Sequence, residues 1–399
     1  MRILWLGVGI NEDIRNELIN CGEAIMSAHV SESNLIRGLE HSCDEIVDTI
    51  NSYRYPCYPK GPRVVKRREW SRTGKSKDVS VSYSNLKYFN HLSRKKMLKK
   101  EAKAWAKSIP AGEEVVVMVY SMHSPFMEAA CSVKKIIKNA KIVLIVPDLP
   151  QYMDMNMSFV KKLFKKFDWL RIKKLMKKTD KYVLYSKHMA DFLKLKDDSW
   201  IVMEGSYDAS LMADEGIKKD DDKISIMYSG ALNLRYGIVE LLDAFDMLPE
   251  NYELWLTGNG NAVSLINERA ERDSRIKYLG YLPTRKDLLN KQREATMLIS
   301  TRDPSEPAST YCFPSKMFEY MVSGNPVLST RINGIPEEYY DYVVPLDSLD
   351  VDYLKKEIEK IGKMTKEQRS TIGSKAKEFV LYEKNCNAQM KKVIKFIKD

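Results

Sequence analysis

The sequence predicts an α/β protein built from two open, mostly parallel sheets in series. Three observations carry this reading. "RILWLGVG", "EEVVVMVYS", "KIVLIVPD" and "KYVLYS" are short β-rich runs separated by helix-length segments, the alternation of a parallel sheet with crossover helices. A second set, "KISIMYSG", "YELWLTGNG", "RIKYLGYL", "ATMLIST" and "NPVLST", repeats the pattern. Between the sets lies "MEGSYDASLMADEGIKKDDDK", polar and turn-rich, a linker near residues 205–222. Ligands of such sheets bind beyond the carboxyl ends of the strands, so a cleft between two facing domains is the expected site.

Bulk properties agree. A chain of 399 residues favours two or three domains, and 44% hydrophobic with 30% charged residues is the composition of a soluble globular protein. No apolar run approaches the ~18–20 residues needed to cross a bilayer. Six cysteines (Cys21, Cys43, Cys57, Cys131, Cys312 and Cys386) stand without a Cys-x-x-Cys pair, which predicts free thiols in a reducing compartment and a cytosolic protein.

Taken in order, "MRILWLGVGI" has one charge, Arg2, and a Gly-x-Gly turn where a signal peptide would have its cleavage site; it reads as the first strand, with Gly7–Gly9 as its loop. "YSMHSPF" ends a strand on His123, either a site residue or a structural hydrogen-bonder. "VPDLPQYMDM" ends another on Asp148, an acceptor-orienting group or base, or else a loop cap. In the segment Phe159–Lys178, nine Lys or Arg stand against Asp168 alone, a balance of +8 within a chain of net +11. Ser158 can cap it, and Val160, Leu163, Phe164, Phe167 and Leu170 form one apolar face flanked by Lys161, Lys162, Lys165 and Lys166. Two readings stand: a helix lying on an anionic membrane, or a domain helix burying that face on its own sheet. Further basic clusters, Val64–Lys77 and Ser93–Lys103, also fall in the first half, and such a one-sided excess points to an anionic partner.

In the second half, "IMYSGALNLRYGIVELLDAF" is a strand, a glycine turn at Gly230 and an amphipathic helix. That turn is either an anion site, to which Arg235 adds a cation, or a tight turn only. In "STYCFPSKMFEYMVSGNPVLST", Pro314 fixes a turn, Ser315 is a helix N-cap and Gly324 the stop. Lys316 and Glu319 share a face: the lysine suits a diphosphate and the carboxylate suits paired hydroxyls such as those of a ribose. A plain Lys316–Glu319 salt bridge is the alternative. The tail "QRSTIGSKAKEFVLYEKNCNAQMKKVIKFIKD" reads as helix throughout.

Together, "YSGALNLRYGIVELLDAF", "LWLTGNGN", "IKYLGYLPTRKDL" and "FPSKMFEYMVSGNPVLST" resemble the nucleotide-sugar domain of the "glycosyl transferases group 1" family of retaining glycosyltransferases, in a Pro-Ser-Lys variant of bacterial polysaccharide-biosynthesis type. The resemblance is strong over Lys223–Pro336 and mostly architectural before that. It implies the GT-B fold, two Rossmann-like domains across a cleft. It divides the chain into an acceptor domain (1–206), a nucleotide-sugar domain (207–378) and a C-terminal helix (379–399) returning to the first domain. It implies a hexosyltransferase without cofactor or metal that moves a sugar from a UDP- or GDP-sugar to a saccharide or polyprenyl-linked acceptor. Such an enzyme is cytoplasmic or peripheral on the inner membrane face.

Residue by residue, the resemblance puts Glu319 on the ribose, Arg235 and Lys316 on the leaving diphosphate and His123 on the reacting sugar. Gly9, Gly230, Tyr311, Phe313, Pro314 and Ser315 surround the donor, and Tyr281 flanks the base. The chain departs from the family where Tyr311 replaces a glutamate, and where Ala231 and Tyr236 replace the arginine and lysine after the glycine turn. A GT-B sugar-nucleotide epimerase and a basic nucleic-acid-binding protein are the alternatives, although no nucleic-acid motif is present.

Overall fold

A computed structural model describes residues 1–21, 27–42, 45–151, 159–209 and 222–399. The chain forms two compact units. Unit 1 is Met1–Ser206 with Cys386–Asp399, and unit 2 is Tyr207–Asn385.

Unit 1 contains β1 (Arg2–Gly7), α1 (Glu12–Asn20), α2 (Ser27–Ser42), β2 (Ile46–Asn51), β3 (Val64–Val65), β4 (Arg68–Trp70), β5 (Asp78–Ser80) and β6 (Tyr83–Ser84). There follow α3 (Asn90–Ser108), β7 (Val115–Tyr120), α4 (Ser124–Ile136), β8 (Lys141–Val146), α5 (Phe159–Met176), β9 (Lys181–Leu184), α6 (His188–Leu193) and β10 (Trp200–Val202). Its sheet runs β10-β9-β8-β7-β1-β2-β5-β4, parallel except for β4 on β5. Ile3 to Leu6 and Val115 to Val119 are fully buried, because a parallel sheet covered on both faces needs unbroken apolar strands. β1 is therefore a central strand, as its apolar run predicts.

Unit 2 contains β11 (Ile224–Ser229), α7 (Ile238–Asp246), β12 (Tyr252–Thr257), α8 (Val263–Arg272), β13 (Ile276–Tyr278), α9 (Arg285–Glu294), β14 (Met297–Ser300), α10 (Pro307–Tyr311), α11 (Lys316–Val322), β15 (Val327–Thr330), β16 (Val344–Leu346), α12 (Val351–Gly362) and α13 (Lys366–Glu383). The sheet order β13-β12-β11-β14-β15-β16 is that of a Rossmann fold, wholly parallel. Strand order reverses between β11 and β14, which puts the loops after those two strands at the topological switch point. In unit 1 the corresponding reversal lies between β1 and β7, next to Gly7–Gly9 and His123.

The tail departs from the continuous helix the sequence suggests. α13 buries Ala376, Phe379 and Val380 in the core of unit 2. It stops before Asn385, whose amide donates to the carbonyls of Leu381 (2.7 Å) and Tyr382 (3.1 Å). α14 (Cys386–Lys398) then packs Met390, Val393 and Ile397 within unit 1, beside α2. Gly38 of α2 lies against the Cys386 carbonyl, so a side chain there would prevent that approach. The chain thus changes unit at 385/386, not at 378/379, because Phe379 and Val380 belong to the unit 2 core. Residues 210–221 of the expected linker, Cys43 and Ser158 lie outside the described residues, as do the side chains of Val160, Lys161 and Lys162.

Candidate functional site

The site in unit 2 is assembled at its switch point. β11 ends at Ser229, and Gly230 follows with φ +126°, a conformation that favours glycine. α11 is held to that strand end by Tyr320, whose hydroxyl donates to Ser229 O (2.9 Å) and accepts from Ser229 N (2.7 Å). Lys316 lies one helical turn before Tyr320, so this anchor sets the lysine over the glycine turn. A Cβ on Gly230 would sit 3.6 Å from Lys316 Cδ. Tyr320→Phe is expected to cost about 1–3 kcal/mol, because the buried Ser229 N–H loses its acceptor. Urea unfolding checks this; an unchanged midpoint would refute the anchor.

Lys316 and Glu319 do not form the salt bridge that their spacing allows. The ammonium sits over the Tyr228 ring, 3.7 Å from its centroid, and no carboxylate pairs with it among the described residues. Burial, and then the Arg302 charge, push its pKa down to about 7. Glu319 instead accepts from Arg285 Nη2 at 2.9 Å. Burial raises the Glu319 pKa, and Arg285 opposes the rise. Arg285 Nε is buried and bonded to nothing among the described residues. Sequence reading missed Arg285, although it stands in the quoted "LPTRKDL" directly after Thr284, the N-cap of α9 whose hydroxyl accepts from Asp287 N (3.1 Å). Gln292 links the same region to β11, donating from Nε2 to Ser229 Oγ at 2.9 Å.

Arg302, in the loop after β14, is a second residue the sequence did not single out. Its loop is sewn to the turn before α7: Thr301 Oγ1 donates to Tyr236 O (2.8 Å), and any side chain on Gly237 would meet Thr301 O. Two guanidinium groups lie near the Tyr236 ring, Arg235 at 5.1 Å and Arg302 at 5.3 Å from its centroid. Gly230 and Lys316 are thus brought together, while Arg235 is exposed and lies on Tyr236, donating to its hydroxyl at 3.3 Å. Tyr311 ends α10, shortly before Lys316 in the chain.

Other expected donor residues are placed differently. Phe313 is buried in the core, with ring centroids 5.0 Å from Phe318 and 5.1 Å from Tyr339, and Pro314 is buried beside it. Ser315 is exposed in helical conformation (φ −55°) and makes no capping bond, so α11 starts uncapped at Lys316; Gly324 (φ +77°) does end it. Tyr281 is 79% exposed, in the loop after β13. The Asp-x-Asp spacing of Asp350 and Asp352 serves a helix start, with Asp350 Oδ1 accepting from Tyr353 N at 3.0 Å.

In unit 1, the Gly7–Gly9 loop is tied down from beneath. Glu32 of α2, fully buried, accepts from Trp5 Nε1 (2.5 Å), Val8 N (2.8 Å) and Gly9 N. Its carboxylate lies so close to Gly7 that a Cβ there is excluded. The amide of Gly9, a residue expected around the donor, is therefore committed to Glu32, as is that of Val8. His123 precedes α4, and its Nδ1 is buried without a hydrogen bond among the described residues. Burial, then the charges of Arg94, Arg54 and His91, push its pKa down to about 3, so the ring is neutral. The structural hydrogen bond that would explain it otherwise is absent at that nitrogen. Asp148 follows β8, and its charge adds to the burial that pushes the Tyr185 pKa up.

α5 leaves much of its apolar face uncovered. Leu163 (48%), Phe164 (71%), Phe167 (63%) and Leu170 (50%) are exposed, while Ile172 is buried. Ser124 Oγ donates to Asp168 at 2.6 Å, fixing that orientation on α4. Glu128 of α4 pairs with Arg171, Lys95 (3.3 Å) and Lys99 (3.8 Å). The Val64–Lys77 arginines are also paired: Arg67 with Glu101 and Glu69, Arg68 with Glu17, and Arg72 with Glu40 and Asp78. By contrast Lys165, Lys166, Lys173, Lys174, Lys177 and Lys178 have no acidic partner among the described residues. No helix of the described residues is long and apolar enough to cross a membrane.

The fold is shared with solved glycosyltransferase structures. Anabaena HepE in complex with UDP matches with a TM-score of 0.65 at 12% identity, covering 100% of both chains. The sucrose-phosphate synthase of Thermosynechococcus elongatus matches at 0.66 and 15%, covering 100% of this chain and 98% of that one. The lipopolysaccharide outer core galactosyltransferase WaaB, in its apo form, matches at 0.64 and 14%, covering 100% and 99%. These likenesses establish the fold as GT-B, with two Rossmann-like units. No curated protein matches the sequence. Residues 213–379, which take in β11 through most of α13 and every residue of the unit 2 site, match the family model "Glycosyl transferases group 1".

Proposed function

We propose that the protein is a retaining glycosyltransferase of the hexosyltransferase type. It moves a sugar from a nucleotide-diphosphate donor to a saccharide or lipid-linked saccharide acceptor in surface polysaccharide synthesis. The observation that carries the reading is Lys316: an ammonium over Tyr228, beside the Gly230 turn, without a carboxylate among the described residues, one turn before a glutamate held by Arg285. A cation kept from neutralisation is suited to a departing diphosphate, and Glu319 to a ribose diol. Stabilising the leaving group in this way needs no metal ion, and His123, neutral and with Nδ1 unpartnered, contacts the reacting sugar. The HepE structures hold UDP and UDP-glucose, which supports UDP as the first nucleotide to try.

Calorimetric titration with UDP, GDP and ADP, followed by turnover of the matching nucleotide sugars with and without EDTA, tests the proposal. Micromolar binding of one diphosphate and EDTA-resistant turnover are expected; no binding of any of them overturns it.

The exposed stripe of α5 supports a peripheral position on the cytoplasmic face of a membrane. Phe164 and Phe167 enter the headgroup region, and the unpaired lysines meet anionic lipid. Each basic residue near such a surface contributes about 1 kcal/mol. The whole chain is expected to float with anionic vesicles and not with neutral ones, and Phe164→Ser with Phe167→Ser should abolish flotation. Equal flotation of wild type and double variant removes the membrane reading.

A further inference from the structure

The family resemblance leaves a gap at the diphosphate: the arginine and lysine expected after the glycine turn fall on Ala231 and Tyr236. The folded chain brings a cation to Tyr236 from another loop. Arg302 follows β14, the strand paired with β11 across the switch point, so its loop and the Gly230 turn emerge side by side. The Thr301–Tyr236 bond and the close fit of Gly237 on Thr301 lock the two loops together. The Arg302 side chain is fixed at one end only. Its Nε donates to Oγ of the buried Ser309 (3.1 Å), and Ser309 in turn donates to Asp303 O (2.7 Å). Both Nη groups are left without a partner among the described residues, and the guanidinium lies over Tyr236.

We propose that Arg302 is the second diphosphate-binding cation of the site, acting with Lys316 in place of the lysine that Tyr236 has displaced. This rests on the donor reading above and deepens it. Two cations near enough for one to depress the other's pKa, neither neutralised by a carboxylate among the described residues, repel each other in the free protein. A dianion bridging them relieves that repulsion. A guanidinium suits this task because its planar fork can bond two phosphate oxygens at once, whereas Lys316 acts as a point charge. Tyr236 then has a role as well, since its ring lies under the Arg302 guanidinium.

The test compares UDP, UMP and uridine on the whole chain by calorimetry, with GDP and ADP and their nucleosides run in parallel. Wild type should bind one diphosphate far more tightly than its nucleoside. Arg302→Gln should weaken the diphosphate by about ten- to a hundredfold, as expected for a charged hydrogen bond, and leave the nucleoside unchanged. Arg302→Lys should recover part of the loss. Removing the neighbouring charge should also move the pH at which UDP affinity breaks upward from its wild-type position. Unchanged diphosphate affinity in Arg302→Gln, or equal losses for diphosphate and nucleoside, would overturn the assignment while leaving the donor reading intact. A wild type that does not distinguish a diphosphate from its nucleoside overturns the donor reading and this inference together.

Discussion

Lys316→Ala is expected to lower donor turnover by about 10²- to 10³-fold, the usual effect of removing one preorganised charge from a developing oxyanion. Loss of the ammonium leaves the leaving diphosphate with the Arg302 guanidinium alone. Turnover retained in the variant would refute the lysine's role. The pH dependence gives a second readout with a definite sign. The free lysine has its pKa pushed down to about 7 by burial first and by Arg302 second; the Tyr228 and Tyr320 rings that also face it carry no formal charge. Below pH 7 it is charged in both the free and the bound state, and affinity is flat. Above pH 7 the free protein must take up a proton to bind, so UDP affinity should fall about tenfold per pH unit until the pKa of the complex is reached. Lys316→Arg should abolish that slope. The same shift makes the free protein gain stability between pH 7 and 10.5, because the unfolded chain then holds the proton that the folded chain has lost.

Much of this site was legible because it follows local rules. Apolar runs bounded by glycine predict parallel strands, and β1, β7, β8, β11 and β14 all stand where those runs fall. Gly230 and Gly324 both adopt the positive φ for which glycine is the natural choice. The residues that were not legible act across sequence distance. Arg285 reaches Glu319 over 34 positions, and Arg302 reaches Tyr236 through a strand order that only the folded sheet reveals. Phe313 shows the converse. Its place in a site-bearing motif suggested a ligand contact, yet the aromatic cluster with Phe318 and Tyr339 claims the ring for the core. Ser315 had the right chemistry for a cap, but its helical backbone turns the hydroxyl from the first free amides. For α5 the sequence pattern described one apolar face and could not say whether the fold would cover it; the Ser124–Asp168 bond turns it outward.

Wild-type stability should decline by about 3 kcal/mol from pH 4.5 to pH 7 through one buried group, Glu32, and Glu32→Gln should lack that decline. Glu32 is fully enclosed, and among the described residues Arg72 acts on it as a counter-charge. The three N–H groups of Trp5, Val8 and Gly9 favour its carboxylate, but desolvation outweighs them and pushes the pKa up to about 7. The unfolded chain releases this proton near pH 4.5 and the folded chain holds it to about pH 7, so the folded state binds more protons in that interval. Stability from this group is therefore complete below pH 4.5 and is lost as the pH rises through 7. Subtracting the Glu32→Gln profile from that of wild type isolates it from Glu40, which is shifted the same way by burial. Glu32→Ala has the larger effect at every pH. It leaves the buried Trp5 N–H unsatisfied at about 1–3 kcal/mol and takes the acceptor from the half-buried Val8 and Gly9 amides, partly offset by removing the buried acid, and it frees the Gly7–Gly9 loop from its support. Urea unfolding at pH 5 and pH 8 measures both variants. Parallel pH profiles for wild type and Glu32→Gln would show that the three N–H donors outweigh burial and that Glu32 is ionised throughout.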